Sequence, residues 1–177
     1  MSGAVHRNVD GMAFGVEGPL RARPNNGWFD WVALTLSRSI RFDDDGVPYP
    51  GDYDQPFSLT VIAAKEVPKG WRFSGRFRLT SGHPVTPLYG AYEVESDWWE
   101  GYQGELNSER FPLFRQLDLR IDKTWTAKRA RWTLYGDVYN VTNTRNFLLA
   151  TYTPNFAELV PIIWIPIIPT FGLEVSF

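Results

Sequence analysis

The end of the chain sets the strongest constraint on its fold. From Thr170 to Phe177, the apolar residues Phe171, Leu173, Val175 and Phe177 alternate with Thr170, Gly172, Glu174 and Ser176. A strict period of two places alternate side chains on opposite faces of a β-strand, one face apolar and the other polar. The chain stops on that apolar face, at an aromatic residue with no polar tail. Terminal residues of soluble domains are usually frayed and solvated. The remainder of the sequence must therefore account for an apolar strand face that reaches the last residue.

The same alternation recurs upstream. Gly11 to Leu20 carries Met12, Phe14, Val16 and Leu20 on one face and Glu17 on the other. Trp28 to Phe42 carries Trp28, Val32, Leu34, Leu36, Ile40 and Phe42 at even positions, with Arg38 breaking that face near one end. Phe57 to Glu66 and Trp71 to Ser81 repeat the pattern, the second with Arg72, Ser74, Arg76, Arg78 and Thr80 between its aromatics. Phe114 to Thr126 sets Leu117, Leu119, Ile121 and Trp125 against Gln116, Asp118, Arg120, Asp122 and Thr124. Arg131 to about Tyr152 reads as one long strand or two collinear pieces, interrupted around Asn140-Val141-Thr142-Asn143. With the closing strand this makes seven strands in an antiparallel up-and-down meander, an all-β chain.

The connections alternate in length. Residues 23–27, 67–70 and 127–130 are short, whereas 43–55, 82–112 and about 153–167 are long. In a meander, alternate connections lie at the same end, so all short turns fall at one end and all long loops at the other. The proline-rich stretch Val160 to Pro169 excludes a helix and makes a central strand difficult. The connection 82–112 is long for a structureless loop and carries an acidic, aromatic patch of Glu93, Glu95, Asp97, Trp98, Trp99, Glu100 and Tyr102.

Composition narrows the function classes. The chain has 177 residues, enough for one domain, and a formal charge of −2, which gives no basic face for nucleic acid. It lacks cysteine, so disulfide frameworks, thiol catalysis and thiolate metal sites are excluded. Its two histidines, His6 and His83, are far apart, which argues against a multi-histidine metal site. There is no phosphate loop and no nucleophile–base–acid set, so neither an enzyme nor a cofactor is expected. Residues 1–10 read as a disordered or cut amino-terminus without the apolar core of a signal peptide. No apolar run is long enough for a transmembrane helix.

Alternation alone does not say whether the apolar face is a core or meets lipid. A soluble β-barrel or sandwich has the same pattern turned inward. Three features favour a segment of a transmembrane β-barrel. Trp28, Trp71, Trp125 and Trp132 all lie beside short turns, where an aromatic girdle sits. Charges of both signs occupy the polar face at mid-strand: Arg72, Arg76, Arg78, Asp118, Arg120, Asp122, Asp137 and Glu174. Such residues can line a wet lumen and pair across strands. The chain also ends on Phe177.

Two stretches resemble the carboxy-terminal barrel of TonB-dependent outer-membrane receptors. One is Phe111 to Lys123, with Leu117-Asp118-Leu119-Arg120-Ile121-Asp122. The other is Trp132 to Asn143, ending in Asn140-Val141-Thr142-Asn143. Leu79-Thr80-Ser81-Gly82-His83-Pro84 and Asp52-Tyr53-Asp54-Gln55-Pro56 are similar to segments of large receptors of this type. The resemblance covers about residues 11 to 177. It implies energy-coupled uptake of a scarce nutrient, such as a siderophore-iron complex, a cobalamin or a glycan, across the outer membrane of a Gram-negative bacterium, without catalysis. It gives Phe177 the role of the terminal aromatic recognised by the barrel-assembly machinery. Barrels of this family have 22 strands and a plug. Seven strands therefore read as the last third of such a barrel, with the plug domain absent. The partners expected are outer-membrane lipid, the remaining strands and plug of the same receptor, and, through that plug, the TonB-type energy coupler.

Ligand in that family is held by extracellular loops and plug apices, which makes Trp98, Trp99 and Tyr102 the candidate stacking residues here. Asp43, Asp44 and Asp45 offer oxygen ligands for a cation or simply form a solvated loop tip. Arg72, Arg76 and Arg78 either line an anion path or pair with strand neighbours. The competing reading is a soluble β-barrel module that binds a small apolar ligand.

Overall fold

Each alternating segment forms a strand in the computed structural model, which describes residues 10–24, 26–95, 98–156 and 158–177. In chain order the strands are β1 (Gly11–Ala22), β2 (Trp28–Phe42), β3 (Pro48–Pro50), β4 (Phe57–Val67), β5 (Trp71–Thr80), β6 (Pro84–Val85) and β7 (Leu88–Glu95). They continue as β8 (Trp98–Gln103), β9 (Glu109–Arg110), β10 (Phe114–Ala127), β11 (Ala130–Tyr139), β12 (Phe147–Tyr152), β13 (Leu159–Ile163) and β14 (Ile168–Ser176). The main sheet runs β1-β2-β4-β5-β10-β11-β14, every neighbour antiparallel, with β3 pairing with the last residues of β2. These seven strands form the meander that the alternation predicts. The sheet is open: among the described residues β1 and β14 each carry one unpaired edge.

The register keeps the two side-chain classes apart through most of the sheet. The exceptions include Trp31 and Ile62 on the charged face and Arg38, Lys65 and Lys123 on the apolar one. One rung joins Leu20, Val32, Val61, Phe77 and Leu117. Another joins Leu119 to Val138, and a third joins Leu134 to Leu173. The intervening rungs pair Thr60 with Arg78, Arg76 with Asp118, Arg120 with Asp137 and Thr133 with Glu174. A slip of one residue in any ladder would mix the faces, so the pattern fixes the pairing.

The three short turns lie at one end and need particular backbones. The β4–β5 turn is a single 3-10 turn over Pro68–Gly70, with positive φ at Lys69 and Gly70. A Cβ on Gly70 would sit 2.1 Å from the Thr124 carbonyl oxygen, so only glycine fits there. The β10–β11 turn uses Lys128 and Arg129, both at positive φ, where glycine or asparagine is usual.

At the other end the long connections are more structured than expected. Residues 43–55 contribute β3, and 82–112 form two small antiparallel ladders, β6–β9 and β7–β8. Of the two readings of Arg131 to Tyr152, one continuous strand is excluded, and the chain forms two pieces interrupted around Asn140 to Asn143. β11 stops at Tyr139, Asn140 and Asn143 take positive φ, and β12 leaves the main sheet to pair with β13. Prolines do enter strands here. Pro161 lies in the two-stranded β12–β13 ladder, and Pro169 lies in β14, next to the open edge.

Candidate functional site

The two faces of the sheet are buried in the reverse of the usual sense. Leu34 is 41% exposed, Leu119 45% and Phe171 88%. Gln116 is 3% exposed and Asp118 8%, both on the charged face. Among the described residues the buried apolar side chains are Ala33, Ala64 and Ala130 with the loop-end prolines Pro84 and Pro87, and no larger aliphatic or aromatic side chain is buried. A water-soluble domain buries its large aliphatic side chains and seldom exposes a broad apolar patch.

The apolar face carries its tryptophans in a line. Trp28 shares a rung with Lys65, Phe73, Ile121 and Gly136. Trp71 lies two residues nearer the short turns than Phe73, while Trp125 and Trp132 lie four nearer than Ile121 and Gly136. Rungs spaced by about 4.8 Å and residues by about 3.3 Å make this line oblique to the rungs by roughly 35°. Lysines flank it on the same face: Lys65 Nζ lies 5.0 Å from the Trp28 ring centre and Lys123 Nζ 4.9 Å from that of Trp71. Trp125 and Trp132 stack with centroids 6.4 Å apart. Tryptophan beside a lysine with an apolar stem and a charged tip suits a boundary between apolar and aqueous media.

The charged face is cross-linked. All eight charges singled out in the sequence fall on it by register. Arg76 pairs with Asp118 at 2.7 Å, across β5 and β10. Arg120 pairs with Asp137 on β11 at 3.0 Å and with Asp122 on its own strand at 2.7 Å, and its guanidinium lies 4.2 Å from the Tyr135 ring centre. Arg78 donates to Gln116 Oε1 at 2.9 Å. Arg72, Arg78 and Glu174 make no ion pair among the described residues.

Three buried polar residues, none of them among the site residues expected from the sequence, organise the loop end. Asp54 is 1% exposed. Its carboxylate accepts the Ser39 amide at 2.6 Å, Arg38 Nη1 at 3.2 Å and Arg110 Nη2. Arg110 also donates to the carbonyls of Asp54 and Gly82. One carboxylate thus joins β2, residues 51–56 and the connection before β10. Burial pushes this carboxyl up. The Ser39 amide and the guanidinium groups of Arg110 and Arg38 outweigh that and hold it below its ordinary value.

Asn140 is fully buried. It donates its amide to Asp118 Oδ1 and its side chain to the carbonyls of Thr144 and Ile165. Asn146 exchanges two hydrogen bonds with the Arg115 backbone, each at 2.9 Å, as a neighbouring strand would. The asparagines of the interrupted segment are therefore the ties that turn the chain out of the sheet.

Between this loop end and the charged face lies a cleft of about 440 Å³. Arg78, His83 and Gln55 line one side, and Phe111, Phe147 and Trp164 line another. Phe111 stacks on Phe147 with centroids 5.9 Å apart, and Trp164 meets Phe114 edge-on at 6.4 Å. Gly82 permits the close approach behind it, because a Cβ there would lie 1.9 Å from the Phe111 carbonyl oxygen.

The stacking residues expected from the sequence lie elsewhere, on the β7–β8 hairpin. The pleat sets Trp99 and Tyr102 on opposite faces of β8, Tyr102 exposed and Trp99 half-buried. The side chain of Trp98, and all of Asp97, lie outside the described residues. In the acidic tip, Asp43 Oδ1 accepts the amides of Asp45 and Val47 and so closes its own turn. Phe177 is fully exposed beyond β14. The cleft escaped notice in the sequence because its sides come from segments separated by up to about a hundred residues, none with a local signature.

The fold and site thus define an open, antiparallel β-meander with one exposed apolar face and one charged, cross-linked face. Comparison with protein-family models, with curated proteins and with solved structures finds no match for the chain.

Proposed function

We propose that this chain forms part of the wall of an outer-membrane β-barrel, of the TonB-dependent receptor class that its sequence resembles. In this reading it contributes to uptake of a nutrient rather than to catalysis. The observation that carries the reading is the inverted burial: large aliphatic and aromatic side chains on the exposed face, arginines and carboxylates on the enclosed one. A lipid-facing apolar band around a polar interior has this arrangement. The tryptophan line supports it. If that line lies level at the membrane boundary, the strands tilt by roughly 35°, within the range of barrel strands. The open edges of β1 and β14 fit the same reading, since unpaired backbone groups in hydrocarbon are costly and further strands of the receptor would pair them. The plug and the energy coupler enter through the rest of that receptor.

An antibody against residues 82–112, applied to fractionated cells, tests this. The expected band lies in the outer membrane. A band in the soluble fraction, stable without detergent, would overturn the reading and favour a soluble module for a small apolar ligand.

A further inference from the structure

We infer that the loop-end cleft is a binding site for a small organic anion with an aromatic or apolar body. The inference goes beyond the barrel reading and rests on the cleft alone. Of the arginines singled out on the charged face, Arg76 and Arg120 have carboxylate partners, Arg72 lies exposed near the short turns, and Arg78 lies at the loop end. Arg78 has no carboxylate partner. Its Nη2 bonds a neutral amide oxygen of Gln116, its guanidinium lies 5.3 Å from the Phe114 ring centre, and its Nε is enclosed without an acceptor.

His83 lines the cleft beside Arg78. Gln55 Nε2 donates to the Ser81 carbonyl and approaches His83 Nε2 at 3.4 Å. If the amide donates in that contact, Nε2 is the acceptor and Nδ1 carries the proton. His83 Nδ1 is enclosed and has no acceptor. Enclosed polar atoms without partners, as Arg78 Nε and His83 Nδ1 are here, are rare in folded proteins and call for an explanation.

The charge around the cleft points the same way. Asp54 balances only one of the two guanidinium groups that reach it, and one of these, Arg110, also bonds the Gly82 carbonyl at the cleft rim. Water would supply an acceptor but not the missing negative charge. A carboxylate or phenolate supplies both. The stacked Phe111–Phe147 pair and Trp164 give an apolar body a wall to lie on. The volume, about 440 Å³, is that of a small-molecule site.

The test is a titration of the full chain with benzoate, benzamide and acetate, in whichever medium keeps it folded, micelle or buffer. Trp164 fluorescence is the readout, identified by its loss in Trp164→Phe. Benzoate is expected to saturate the signal at least tenfold more tightly than benzamide or acetate. Arg78→Gln should bring benzoate down to the benzamide level, and Arg78→Lys should keep part of the preference. Equal binding of benzoate and benzamide by the unaltered chain, or no saturable signal, would overturn the proposal whatever the variants do. So would an undiminished preference in Arg78→Gln. Because the medium is chosen for folding, failure here is separate from failure of the membrane reading, which the cell fractionation reports.

Discussion

Arg76 donates Nε and Nη2 to a single oxygen of Asp118, at 3.0 and 2.7 Å. The other oxygen of Asp118 accepts Gln116 Nε2 at 2.6 Å and the Asn140 amide at 2.9 Å. One carboxylate therefore fastens β5 to β10 and to the turn that ends β11. Asp118→Ala leaves several enclosed donors unpaired and should cost about 2 kcal/mol. Glu174→Ala, on the same face without an ion pair, should stay within about 0.5 kcal/mol. Urea titration of the folded chain, with Arg76→Ala completing a double-mutant cycle, measures both.

Asn140 combines a left-handed backbone, φ 48°, with three hydrogen bonds that fix the exit of the chain from the sheet. Asn140→Ala removes the side-chain donors and forces a Cβ-bearing residue without local compensation into that conformation, for a loss of about 2–3 kcal/mol. Asn140→Gly removes the same donors but accepts the backbone, so it should be milder by about 1 kcal/mol. A smaller loss in the alanine variant than in the glycine variant would contradict this assignment.

The Asp54 clamp gives the loop end a defined response to acid. Its carboxyl titrates below the ordinary value of 3.8, so the folded state binds protons less readily than the unfolded chain. Its contribution is therefore fully present above that value and disappears as the pH falls through the lower folded one. Hydrogen exchange at the Ser39 and Asp54 amides, taken relative to amides of β10, should accelerate only in that acidic window. Asp54→Asn should show the faster exchange already at neutral pH and lose the pH dependence.

The apolar face yields a depth-dependent prediction. Leu34→Arg and Leu119→Arg, at mid-strand, should oppose folding into bilayers by about 2–4 kcal/mol, whereas Trp28→Arg, on the tryptophan line, should cost about 0–1 kcal/mol. In a soluble protein, arginine at leucines already 41% and 45% exposed would be nearly neutral.

The strands were legible because side-chain alternation is local: Trp71 to Thr80 and Phe114 to Ala127 declare both faces in their own residues. The ends of the turns were legible for the same reason, since parity follows from counting strands. What sequence alone did not reveal depends on contacts between distant segments. Asn140 and Asn146 look like ordinary turn residues until Arg115, Asp118 and Ile165 are placed around them. Asp54 is one of several aspartates in its loop, and only the approach of Arg38 and Arg110 distinguishes it. The small ladders β7–β8 and β12–β13 lack strong alternation and stand outside the main sheet, each a single pair of strands.

The central claim is that the apolar face meets lipid, and an accessibility scan along β10 tests it most directly. The chain contains no cysteine, so single cysteines from Gln116 to Trp125 can each carry a nitroxide without interference from a native thiol. In native membranes, collisions with oxygen should peak at positions 117, 119 and 121, and collisions with a water-soluble nickel complex at positions 116, 120 and 122. Odd positions shielded from both reagents, in a chain that stays folded in buffer, would show a packed interior there and contradict the account.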